Sequence, residues 1–157
     1  MKRLLLLLLI LSAAAAPARA QYPVIGYWQT ANNGGVIQVK LCGELLCARL
    51  AGVVLDHPND PMPADWRGIS QCGLTLIPGA RRVTVDMWRG KITDPRNGHV
   101  YGVELHVDNR GFLELRGFLG LALLGRTDYW HRYSPVPPED CRLAPGGQPW
   151  SATPATH

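Results

Sequence analysis

Tyr101-Gly102-Val103-Glu104-Leu105-His106-Val107-Asp108-Asn109-Arg110-Gly111-Phe112-Leu113-Glu114-Leu115-Arg116 decides the fold. Tyr101, Val103, Leu105 and Val107 alternate with Gly102, Glu104 and His106. Past Gly111, Leu113 and Leu115 alternate with Glu114 and Arg116, and Leu119 keeps the phase. A period of two sends alternate side chains to opposite faces, so both runs read as antiparallel strands, apolar inside and polar outside. Asp108-Asn109-Arg110-Gly111 supplies the positive φ that a hairpin turn between them requires.

The same period continues outward. Ile37, Val39 and Leu41 share one face and Gln38 and Lys40 the other, while Asn33-Gly34-Gly35 and Asn97-Gly98 mark further turns. Strands are expected near 24–30, 35–42, 46–55, 73–77, 82–93 (bent at Trp88–Gly90), 98–107, 111–119 and 126–133. Eight short strands in a meander leave bare edges unless they close. The expected fold is therefore all-β, an antiparallel eight-stranded up-and-down barrel, with a two-sheet sandwich as competitor. No amphipathic helix is evident. Residues 56–72, with Pro58, Pro61 and Pro63, form a long connection, and 134–157, with six prolines, read as a loosely ordered tail tied back through Cys141. Gly120-Leu121-Ala122-Leu123-Leu124-Gly125 is an oddly apolar hairpin connection. It is expected to fold inward and plug one barrel end; the alternative is contact with a partner protein, a membrane surface or a ligand.

The N-terminal residues read as a signal peptide over 1–20: Lys2-Arg3, an apolar run from Leu4 to Ala16, then Ala18-Arg19-Ala20. The apolar run has 13 residues, short of the ~18–20 that span a bilayer. Cleavage after Ala20 leaves 137 residues with 13 basic and 12 acidic side chains, a net +1. The basic balance of the full chain then disappears, and with it the case for nucleic acid, which needs a clustered basic face. The expected organisation is a barrel domain over 21–133 followed by the 134–157 tail, exported to the periplasm or secreted, with no transmembrane segment after processing. Cys42, Cys47, Cys72 and Cys141 form an even set in an oxidising compartment, which reads as disulfides. Of three pairings, the favoured one joins Cys42 to Cys47 across a four-residue turn and leaves Cys72 with Cys141. With no C-x-x-C pair and no matching histidine spacing, no metal site is expected.

A set of motifs carries a resemblance. These are Gly26-Tyr27-Trp28, Cys42-Gly43-Glu44-Leu45-Leu46-Cys47, Asp56 with Asn59 and Pro61, and Arg67-Gly68 with Cys72-Gly73-Leu74. Asp94-Pro95-Arg96-Asn97-Gly98-His99-Val100-Tyr101 follows, then Gly117 through Leu124-Gly125-Arg126-Thr127 to Trp130-His131-Arg132. In this order, over about residues 24–133, the chain resembles the bacterial family called domain of unknown function 2147. Ala48 and Asp128 depart from its usual pattern without touching the fold. The resemblance implies a small exported protein of Gram-negative bacteria with a lipocalin-like barrel, and it implies no activity. Gly26-x-Trp28 on the first strand and Arg132 on the last also resemble the lipocalin structural signature, in which the arginine lies over the indole where the barrel closes.

No serine lies in a G-x-S-x-G elbow, and no H-E-x-x-H, phosphate loop or dinucleotide fingerprint occurs. The histidines are isolated in sequence, although His99, His106 and His131 lie on strands that a barrel could bring together. No catalytic residue and no cofactor are assigned. Asp56, with Asp60 across His57-Pro58-Asn59, and Asp94 read first as turn carboxylates and second as cation or acid–base groups. Asp56, Asp94, the inward-facing Tyr101 and Trp130 are the candidate ligand contacts. Three function classes follow in descending order. They are a binding module holding a small apolar or amphipathic ligand with 56–72 as its lid, an envelope interaction protein with a solid barrel, and a carboxylate-dependent hydrolase. Interior volume separates the first two.

Overall fold

The computed structural model describes residues 22–150 of the 157. The expected signal peptide, the Gln21 start and the last residues of the tail lie outside the described residues. Eight strands form the barrel: β1 (Gly26–Gln29), β2 (Gly35–Cys42), β3 (Leu45–Val54), β4 (Thr75–Arg82), β5 (Trp88–Thr93), β6 (Val100–Val107), β7 (Leu113–Phe118) and β8 (Arg126–Tyr133). Each pairs antiparallel with its chain neighbours, and β1 also pairs with β8, setting Trp28 opposite Arg132. The sheet therefore closes, and the sandwich alternative falls away. Up-and-down order sorts the connections. Residues 30–34, 55–74, 94–99 and 119–125 gather at one end, and 43–44, 83–87 and 108–112 at the other.

Alternation sets the core as the sequence pattern requires. Val103 and Leu105 of β6 and Leu113 of β7 are fully buried, while Glu104 of β6 forms an ion pair with Arg89 of β5 on the outer face. The expected strands 73–77 and 82–93 are redrawn as β4 and β5 around a turn at 83–87. The expected strand ends at residue 77, before Pro78-Gly79, but β4 runs on through both. Leu46 faces Ala80 while Ala48 faces Ile77, so Pro78 and Gly79 form an irregularity opposite Cys47. A bulge accommodates a residue with no N–H to give. The turn that replaces the bend is closed by Thr84, whose hydroxyl accepts from the Met87 N–H at 3.1 Å.

The expected loose tail is ordered where it is described. Arg142–Leu143 forms a short strand, β9, parallel to the end of β3 beyond its pairing with β4. Leu143 is fully buried in a small second cluster with Val36 and Tyr133, outside the main core. Both disulfides form as favoured, Cys42–Cys47 and Cys72–Cys141.

Barrel closure is built around Trp28. Its indole N–H donates to the Val24 carbonyl at 2.8 Å, and the Arg132 guanidinium carbon lies 3.8 Å from its ring centroid. Arg132 also donates to the carbonyls of Ile25 (2.8 Å) and Pro23 (2.6 Å), so one side chain fastens the incoming chain to the last strand. Gly26 is required between them. Its φ is +136°, and a Cβ there would stand 2.6 Å from the Arg132 guanidinium.

Candidate functional site

The barrel is half filled and half hollow. Trp28, Trp88, Leu46, Leu105 and Leu113 are fully buried, and none reaches the cavity. Around the remaining space, Ile37 (β2), Leu50 (β3), Leu76 (β4), Ile92 (β5), Leu115 (β7) and Trp130 (β8) each contribute one inward side chain, and Tyr101 completes the wall from β6. The cavity measures about 550 Å³, inside the ~300–1,000 Å³ range of small-molecule sites. It opens at the end that carries the 30–34 and 94–99 turns, where Thr30, Asn32, Gln71, Thr93, Arg96 and Asp128 supply polar groups. An apolar chamber with a polar rim suits a molecule with a greasy body and one polar end.

Two turns at the open end are held by their own carboxylates. Asp94 accepts from the Arg96 backbone N–H (2.9 Å), its Nε (3.0 Å) and its Nη2 (2.8 Å). The hydrogen bond from the Arg96 side chain holds the Asp94 carboxyl below the usual carboxylate range. Asp65 does the same for Arg67 inside the long connection and also accepts from the Ile69 N–H at 3.0 Å. Burial pushes this carboxyl upward, but the hydrogen bonds from Ile69 and Arg67 outweigh it and leave its pKa lowered. The two turns are latched together. The Trp66 N–H donates to the Pro95 carbonyl at 3.1 Å, and its indole covers Gly98, where a Cβ would stand 2.6 Å from the ring.

Asp94, Tyr101 and Trp130 are brought together in the cavity lining; Asp56 is not, and lies exposed on the long connection. The three histidines do not meet. His99 packs on Tyr101, His131 on Phe112, and His106 stands 3.9 Å from Glu114. Among the described residues no group of three or more His, Cys, Asp or Glu is placed to hold a metal ion. The expected leucine plug is overturned. Leu119, Leu121, Leu123 and Leu124 are between 68% and 84% exposed. The 119–125 loop turns outward because Arg116 grips its far side, donating to the carbonyls of Ala122 (2.6 Å) and Leu123 (2.8 Å) and to the Thr127 hydroxyl (2.8 Å).

Residues 26–132 match the family described as an uncharacterized protein conserved in bacteria, domain of unknown function 2147. The chain belongs to this family. Comparison with curated proteins found no match. Among solved structures, a Helicobacter pylori protein described as belonging to the lipocalin family superposes with a TM-score of 0.61 at 17% identity, over 73% of this chain and 85% of that one. At that identity the likeness shows the fold alone, so this member of the uncharacterized family has a lipocalin-like barrel. Its rim residues Gln71, Arg96 and Asp128 were missed in sequence. One signal pointed near them: Asp-x-Arg recurs as Asp65–Arg67, Asp94–Arg96 and Asp108–Arg110, each an ion pair closing a turn.

Proposed function

We propose that this protein is a non-enzymatic carrier that holds one small amphipathic molecule in the barrel, apolar part inward and polar end among the rim groups. The cavity of about 550 Å³, apolar in its wall and polar at its open end, carries the reading. Eight-stranded barrels are just wide enough to enclose one small ligand. Asp94, Tyr101 and Trp130 contact it, with Asp94 acting through its Arg96 pair. The leader-like residues 1–20 and the two disulfides support export to the periplasm, with cleavage after Ala20 and the barrel domain and tail dividing near residue 133.

Native mass spectrometry of protein recovered from the periplasm of its own host tests this. A retained adduct of a few hundred daltons is expected, and Ile92→Trp, which fills the cavity wall, should lower its occupancy about tenfold. A chain mass without adduct, together with no uptake of an apolar fluorescent probe, overturns the carrier reading.

A further inference from the structure

The exposed leucines are the feature that the carrier reading leaves unused. Leu119, Leu121, Leu123 and Leu124 project from the seven-residue 119–125 loop, and Arg116 holds that loop's carbonyls so that the side chains point away from the barrel. Exposed apolar groups of this kind on a protein surface mark a contact. Its area argues against another protein. A stable protein interface takes about 800 Å² and 20–30 residues from each partner, and this loop offers seven. Its charge argues for a lipid surface. No acidic residue occurs between Arg116 and Arg126, and among the described residues neither arginine is ion-paired. Arg116 is taken up by the loop's own carbonyls, but Arg126 is exposed and unpartnered among the described residues, and apolar side chains beside such a cation match the layering of a bilayer, acyl chains below anionic headgroups. At the same end Trp66 and Ile69 on the 55–74 connection and Val100 at the start of β6 are half exposed.

We infer that the 119–125 loop inserts its leucines into an anionic lipid bilayer and seats the barrel with its mouth toward the membrane. Docking does not require the cavity to be occupied, so it stands apart from the carrier reading. If both hold, the mouth opens where an amphiphile would enter or leave.

The test is co-flotation of protein purified from an exporting host, its mass confirmed, with phosphatidylcholine vesicles with and without phosphatidylglycerol. Partitioning onto the anionic vesicles is expected, weaker by about tenfold on pure phosphatidylcholine and by a similar factor for Leu123→Asp and Leu121→Asp. Because these side chains are exposed, both variants should melt within about 2 °C of the parent. Ile92→Trp should float normally while losing adduct, which separates failure of docking from failure of the carrier reading. Flotation unchanged by both aspartate variants overturns the inference. So does an absence of flotation on the anionic vesicles, and a concentration-dependent dimer that Leu123→Asp abolishes would then assign the loop to a second copy.

Discussion

The Trp28–Arg132 pair shows how much one residue can settle. Arg132 lies on the indole and ties down two carbonyls of the chain entering β1, so its loss should loosen closure more than a surface charge would. Trp28→Ala should cost about 3–5 kcal/mol as a large core truncation. Arg132→Ala should cost less, and chemical denaturation of the double mutant should reveal coupling above ~0.5 kcal/mol. Additive losses would mean the two side chains act separately. The turn carboxylates make a second prediction at this scale. Asp65, Asp94 and Asp108 all have lowered pKa values when folded, so as pH falls the unfolded chain takes up their protons first. Their stabilisation is complete above about pH 4 and is lost below it as the folded carboxylates protonate. Melting temperature followed from pH 6 to pH 2 should therefore fall mainly below about pH 4, and less steeply in Asp94→Asn.

Among the elements, the 56–72 connection is the one whose state matters most to the mouth. It is clamped at both ends by adjacent residues. Arg142 donates to the carbonyls of Pro58 (2.8 Å) and Asp60 (2.7 Å), and Cys141 is bonded to Cys72. Replacing both cysteines, Cys72→Ser with Cys141→Ser, should destabilise the protein by about 2–4 kcal/mol. Hydrogen exchange should quicken over 56–72 and 141–143 while β6 and β7 stay protected. Uniform exchange throughout would show that the bridge does not act locally. This clamp was half legible. The cysteine pairing followed from the count and one short turn, but the role of Arg142 depends on a strand, β9, of only two residues. No periodicity can announce an element that short. The misplaced boundary between β4 and β5 has a related cause, because Pro78-Gly79 carries the same local signal in a bulge as in a turn.

At the scale of the whole molecule, the barrel was legible because alternation runs through β6 and β7, from Tyr101 to Leu115. The cavity was not. Its existence depends on whether side chains from seven strands meet in the middle, a sum over distant positions that no local pattern records. Tyr101 and Trp130 were found because they are aromatic and in phase; Gln71 enters only because its connection folds across the rim. The leucine loop was singled out, but its direction was read wrongly. Burial of apolar side chains is the ordinary expectation, and Arg116 overrides it through carbonyls that any residues would have offered.

Closure by β1 and β8 also imposes an order in time. A chain made from its N-terminus holds Trp28 long before Arg132 exists, so β1 must wait, paired on one side with β2 alone. Until β8 arrives, the growing sheet carries two unpaired edges, each a template for another chain. The last step joins segments from opposite ends of the sequence, which makes it a slow, non-local event. The four residues of β1 keep the earlier of those two edges short during the wait.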